Sequence, residues 1–256
     1  MKVVIMAGGY GARLGNITDA IPKPMVRIGN KPILWHLMKY FAAYGHKDFV
    51  LALGYKADVI KQFFFNYRSQ VSDFTMDLAT GAFTPHDRED REDWKVTLVD
   101  TGVDALKGAR LKRLERYLDD VNFLTYGDGL SDIDLEALLS FHRSHGKEVT
   151  ISGVHPPARF GDIAEEDGRV LHFNEKHQSS LGLINGGFMV FNKKLLSRLG
   201  SDDNQDLEFG AFYDLVAEGE LMVYKHAGNW DCVDTERDLK HLERIWKEGR
   251  AFWAKG

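Results

Sequence analysis

The sequence predicts an α/β protein built on a mostly parallel sheet covered by helices, and three observations carry that reading. Apolar runs of strand length alternate with segments of helical periodicity from the first residues onward. Two of those runs, VVIM and VNFLTY, end in polar turns rich in glycine, where strands of such sheets meet their ligands. Size and composition suit a single unit over 1–256, since 256 residues of which 44% are hydrophobic can supply a full core.

Taken in order, residues 3–6 read as a buried strand, and AGGYGARL follows at 7–14. Glycine lets backbone turn tightly and approach closely, so this turn suits N–H groups wrapped around a phosphate, with Arg13 adding a charge-assisted contact. A polar stretch, 15–32, leads into ILWHLMKYFAAYG, a helix that Gly45 ends. DFVLALGY is a second buried strand and KADVIKQFFFNY a short helix. Residues 68–93, with the charge run HDREDRED, are expected to form a solvated loop. WKVTLVDTG resumes the strand pattern, LKGARLKRLERYL is helical, and VNFLTYGDG is a strand. LEALLSFHRSHG is helical and EVTISGVH a strand, after which GDIAEEDGRVLHFNEK reads as a hairpin turning at DG. INGGFMVFN is a further strand, DLEFGAFYDLVAEG a helix, and GELMVYKH a strand. TERDLKHLERIWKEG closes the chain as a helix with Thr235 as its N-cap.

Composition removes several classes of function. The net charge is −5, from 33 basic and 38 acidic residues, and no long Lys/Arg run marks a surface for nucleic acid or anionic membrane. One cysteine, Cys232, rules out an intramolecular disulfide and a multi-cysteine zinc cluster, which suits a reducing cytoplasm. No apolar segment nears the roughly 20 residues that span a bilayer, and the apolar start is too short for a signal peptide. A cytoplasmic location is expected.

Three clusters following strands should converge on one crevice. The first joins the Gly loop to IPKPM, where prolines on either side fix the backbone of Lys23 for a phosphate contact. The loop lacks both G-x-G-x-x-G spacing and a GK[ST] ending, so dinucleotide and P-loop readings are weak. The second is TYGDGLSDID, in which Asp128 sits between glycines and reads equally as a turn residue or a ligand. The third is GNWDCVDTERD, with Asp234 before a helix. Two carboxylates from distant parts of the chain suit Mg²⁺ when phosphates and water supply the remaining ligands. Asp231, Asp132 and Asp134 are expected to cap or solvate. His142, His145, His155 and His172 read as packing or surface residues, and Cys232 as a half-buried neighbour of the site.

MAGGYGARL with IPKPM and KPIL resembles the start of the sugar-phosphate nucleotidyltransferases, whose pattern is close to LAGGxGTRLxPxTxxxPKPMxxxxxKP. DTG, KGARLKR, YGDGLSDID, PPARFGD, NEK, INGGF and the late W-x-x-VDT extend the likeness along the chain, toward the cytidylyltransferases that act on glucose 1-phosphate. The resemblance implies a Rossmann-like mixed, mostly parallel sheet flanked by helices, with a small β appendage over the sugar site: the nucleotide-diphospho-sugar transferase fold. It implies that Ala7, Gly8, Gly9, Gly11, Ala12 and Arg13 surround the CTP phosphates with Lys23 beside them, and that Thr101, Gly102, Arg110 and Asp128 complete the nucleotide side. Asp128 and Asp234 would hold Mg²⁺. Glu175 and Lys176 would meet the sugar phosphate, and Tyr126, Gly161, Asn185, Gly186 and Gly187 would line the sugar pocket. Arg13, Lys23 and Lys176 would serve catalysis by offsetting charge. The implied partners are CTP and a sugar 1-phosphate, and a homo-oligomer is the expected assembly.

Two departures from the family pattern stand out, Ala12 for threonine and His177 for the proline of EKP. They leave room for another NTP or another phosphorylated acceptor. A non-catalytic nucleotide-sugar sensor would be expected to lose a metal carboxylate or a site lysine. A metal-dependent glycosyltransferase would not need the Gly loop and PKP together.

Overall fold

The computed structural model describes residues 1–11, 14–86, 92–156, 162–166, 169–174 and 182–254. Among them, seven strands form one sheet: β1 (Lys2–Met6), β2 (Asp48–Leu53), β3 (Lys95–Asp100), β4 (Val121–Tyr126), β5 (Val149–Val154), β6 (Ile184–Asn192) and β7 (Leu221–Lys225). Their spatial order is β7-β5-β6-β4-β1-β2-β3. Only β6 runs against its neighbours, so the sheet is mixed and mostly parallel, as expected.

Central strands of such a sheet are covered on both faces and must be apolar at every position. β1 shows this directly. Val3 and Ile5 pack with Leu37 and Phe41 of α1 (Ile33–Ala43) on one face, while Val4 and Met6 meet Leu111 and Leu114 on the other. The helices α2 (Ala57–Phe65), α3 (Lys107–Arg113), α4 (Leu135–His145), α5 (Phe212–Ala217) and α6 (Glu236–Lys247) complete the two layers. Asp134 caps α4, accepting from the Glu136 and Ala137 amides at 3.0 Å each. Thr235 caps α6 in a reciprocal capping box with Asp238, as its position predicted.

Two segments differ from expectation. Part of 68–93 is ordered as a helical turn, Tyr67–Val71, and a hairpin of Asp73–Met76 with Phe83–His86. The pairing registers Phe74 opposite Pro85 and Met76 opposite Phe83, so a short alternating pattern held the strands together despite the polar surroundings. Residues 87–91 of HDREDRED lie outside the described residues. The expected helix over 206–219 is also broken: a wide turn, Leu207–Ala211, precedes α5, with Phe209 at φ −86°, ψ 17°. Asp206 stabilises that turn by accepting from the Glu208 and Phe209 amides at 2.8 and 2.9 Å. The predicted hairpin forms from Asp162–Glu166 and Arg169–Asn174, antiparallel as expected.

Strand direction decides where the crevice lies. β1 continues to β2 and β3 on one side, whereas β4 lies on the other, so the order reverses between β1 and β4. Ligands of open α/β sheets bind at that switch point, outside the carboxyl ends. Because β6 is antiparallel to β4, its amino end, carrying Asn185 and Gly186, comes to the same edge. The described residues include no helix long and apolar enough to cross a membrane.

Candidate active site

β1 delivers Ala7, Gly8, Gly9 and Gly11 to the edge of the sheet. The Ala7 amide donates to Ala52 O at 2.9 Å, and the Tyr55 amide to Gly8 O at 3.0 Å, which ties the loop to β2. Gly9 is exposed and has open space where a side chain would stand, leaving its backbone free for a ligand. Gly11 has φ 65°, a conformation that favours glycine.

Gly8 owes its identity to a protein contact. A Cβ there, or at Gly54, would collide with the guanidinium of Arg110, which is 4% exposed. Arg110 donates through Nη1 to Leu53 O, Thr101 Oγ1 and Gly102 O at 3.0, 2.9 and 2.7 Å. Through Nη2 it donates to Gly8 O and Val103 O at 3.1 and 3.0 Å. Burial depresses its pKa. Thr101 in turn donates to Leu53 O at 2.6 Å. The predicted nucleotide-side residues Gly8, Thr101, Gly102 and Arg110 thus form one linked group, with Arg110 as a strut binding the ends of three strands.

Lys23 lies on the opposite side of the Gly loop. Pro22 holds extended backbone (φ −68°, ψ 149°) and Pro24 opens the short turn Lys23–Met25. Pro24 also packs on Gly127, where a Cβ would come within 3.0 Å of Pro24 Cγ. PKP therefore sets Lys23 beside the residue that follows Gly127. The Lys23 ammonium is hydrogen-bonded to Asp128 Oδ2 and lies 2.8 Å from Asp234 Oδ1. Burial would lower its pKa, but Asp128 and then Asp234 more than offset that, leaving it above the ordinary lysine value.

A two-stranded ribbon of Gly129–Ser131 and Trp230–Cys232 brings the two carboxylates together. The Val233 amide donates to Asp128 O at 3.1 Å, and the Asp234 amide to Asp238 Oδ2 at 3.1 Å. Trp230 extends the ribbon to β6 by donating from Nε1 to Gly186 O at 2.7 Å. Two carboxylates on one cation form a hard-oxygen donor pair that fits Mg²⁺. Among the described residues no group of three or more His, Cys, Asp or Glu gathers as a fuller cage.

The weaker acidic candidates serve structure. Asp132 accepts from the Asn229 amide at 2.7 Å and the Asn229 side chain at 2.6 Å, while Asp231 accepts from the Cys232 amide at 3.0 Å. Cys232 is half-buried, and burial followed by the Asp234 and Asp128 carboxylates pushes its thiol up to about 12, far from a thiolate nucleophile. His142 is buried against Thr150 and Asn192, and His145 also meets Thr150. Ala12, Arg13, Gly161, Glu175, Lys176 and His177 lie outside the described residues, as does the His172 side chain.

Among the residues expected to line a sugar pocket, the Gly187 amide donates to Asn185 Oδ1 at 2.9 Å, and Tyr126 lies against Gly187. Sequence reasoning missed three contributors: Glu208 and Lys107, which meet Tyr126, and the structural task of Arg110. Trp230 had left a trace, in the W-x-x-VDT spacing.

The family model for nucleotidyl transferases matches residues 2–244. This chain belongs to the nucleotidyl transferase family. The transferase is 45% identical over 255 residues to the glucose-1-phosphate cytidylyltransferase of Salmonella typhi, covering 99% of this chain and 98% of that one. It is 41% identical over 254 residues to the probable glucose-1-phosphate cytidylyltransferase of Bacillus subtilis, covering 99% of each. In fold it is similar to HddC from Yersinia pseudotuberculosis complexed with GMP-PN (TM-score 0.68, 23% identity, 96% and 99% of the two chains). A putative glucose-1-phosphate thymidylyltransferase from Bacillus anthracis is equally similar, with TM-score 0.68, 18% identity and coverage of 100% and 97%.

Proposed function

We propose that this transferase moves CMP from CTP to glucose 1-phosphate, giving CDP-glucose and pyrophosphate. The supporting observation is the convergence of Asp128 and Asp234 on one cation beside the Gly loop, in a chain 45% identical to a glucose-1-phosphate cytidylyltransferase over 99% of its length. A sugar-phosphate oxygen attacks the α-phosphorus in line and pyrophosphate leaves. That nucleophile is already ionised, so no general base is needed, and positioning with charge stabilisation accounts for catalysis.

The Gly9 and Gly11 backbone and Arg13 hold the triphosphate, and Lys23 turns from the carboxylates to the phosphates as they enter. Asp128 and Asp234 would hold Mg²⁺, which when bound offsets the charge of the triphosphate. Lys176 steers the sugar phosphate toward a second anion, Glu175 accompanies it, and Asn185, Gly186 and Gly161 border the sugar. A single cysteine suits a reducing cytoplasm. Assembly as a homo-oligomer belongs to the same reading, and sedimentation velocity checks it.

Pyrophosphate release, measured with each NTP against a panel of sugar 1-phosphates, tests the assignment. CTP with glucose 1-phosphate should give the highest kcat/KM. A better rate with UTP, dTTP or another acceptor would move the enzyme within its family. No release from any pair would refute transferase chemistry.

A further inference from the structure

Tyr126 ends β4, two residues before Asp128, and its ring fills the space beside Gly187. Gly187 has φ 79°, and a Cβ there would come within 2.7 Å of Tyr126 Cδ2, so this wall is built around the ring. The Tyr126 hydroxyl donates to Glu208 Oε1. Lys107 Nζ reaches the same oxygen at 2.6 Å and lies 5.3 Å from the centre of the Tyr126 ring. The Asn185 side chain also hydrogen-bonds to Tyr126. Glu208 Oε2 is buried without a hydrogen-bond partner. The broken turn Leu207–Ala211 carries Glu208 to this place.

An ionised carboxylate only accepts hydrogen bonds, whereas a phenol can donate or accept. Contact with Glu208 therefore commits the single Tyr126 proton to one direction and leaves the Tyr126 oxygen to accept, from Asn185 and from one further donor. Lys107 balances the carboxylate charge and covers the ring, closing the arrangement from outside. Without Glu208, the hydroxyl would turn to any acceptor within reach, and the pocket would change from accepting to donating at that point.

We infer that Glu208 is a positioning residue for the acceptor sugar, fixing Tyr126 as an acceptor of a sugar hydroxyl. The inference rests on the proposed transfer to a sugar 1-phosphate and names the groups that select a neutral, hydroxyl-rich sugar there. The chemistry of the phosphates does not involve Glu208. Its loss should be felt in one substrate only.

The test measures KM for glucose 1-phosphate and for CTP separately, with kcat, in Glu208→Ala, Glu208→Met, Glu208→Gln, Tyr126→Phe and the Glu208→Ala/Tyr126→Phe double variant. Calorimetric titration of CTP into each variant reports that the nucleotide half is folded. Glu208→Ala and the nearly isosteric Glu208→Met should raise KM for glucose 1-phosphate about tenfold, with KM for CTP and kcat within about twofold. Glu208→Gln retains an accepting oxygen and should recover to within about threefold of wild type. On the Tyr126→Phe background, Glu208→Ala should add less than about twofold, because the two residues act as one unit. Effects that multiply in the double variant, or that fall on both substrates alike, or a sugar KM unchanged in Glu208→Ala, would overturn the inference. If the wild-type protein releases pyrophosphate and any of these results appears, the positioning role fails alone. A wild-type protein without release from any NTP and sugar 1-phosphate refutes the functional reading and this role with it.

Discussion

Replacing Lys23 by methionine removes the ammonium that Asp128 and Asp234 share while keeping most of the side-chain volume. The three side chains are 11%, 29% and 13% exposed, so water screens the remaining carboxylates poorly. Breaking a buried ion pair by removing one partner costs about 3–5 kcal/mol, and the partial exposure of Asp128 argues for about 3. In a chain of this size that corresponds to a Tm lower by about 6–12 °C. The same geometry predicts a remedy. A divalent cation that binds the carboxylates of the folded state stabilises it by mass action, and in the variant it no longer competes with the lysine. Thermal unfolding followed with chelator and with millimolar Mg²⁺ should show the variant recovering several degrees, and the wild type gaining less. A loss under about 2 °C in chelator, or a variant indifferent to Mg²⁺ while the wild type gains, would refute the reasoning.

Asp128→Asn and Asp234→Asn should each lower pyrophosphate release by more than about a hundredfold with unchanged circular dichroism, because an amide does not replace an anionic ligand. Neutralising the charges of HDREDRED should alter initial rates by less than about twofold, since Asp93 makes an exposed pair with Lys47 and the half-buried Glu92 pairs with the exposed Lys39. Arg110→Lys replaces five guanidinium hydrogen bonds at the strand ends by at most three from an ammonium, Gly102 O and Val103 O among the acceptors, and should cost at least about 2 kcal/mol in urea unfolding. Glu148 accepts from Arg198 and Lys194, and the Arg198 hydrogen bonds hold its carboxyl down at about 2. A depressed carboxylate stabilises the fold above its unfolded pKa near 4.5, and that contribution fades as pH falls toward 2. Glu148→Gln should therefore flatten the decline of stability with pH in that window.

What the sequence made legible was local. Continuous apolar runs named the sheet strands, and the prolines around Lys23 announced a fixed backbone that the structure confirms. The partners of that backbone were not legible, because Lys23 meets Asp128 across 105 positions and Asp234 across 211. Arg110 illustrates the same limit: the family likeness put it on the nucleotide side, and only the neighbouring strand ends reveal what its guanidinium binds. Phe74, Met76 and Phe83 were masked by the charges around them, so a hairpin read as a loop. The break at Phe209 came from Asp206 and from Glu208 meeting Tyr126, contacts that helical periodicity does not encode.

The ribbon that joins the carboxylates ties the site to the last part of the described fold. All seven strands of the main sheet are complete at Lys225, whereas Trp230 and Asp234 come later. A polypeptide clipped after Lys225 has every strand of the sheet in its sequence and lacks the second carboxylate. The same stretch supplies Val233, Leu242, Ile245 and Trp253 to the buried core, so losing it would remove packing under the sheet together with the second carboxylate.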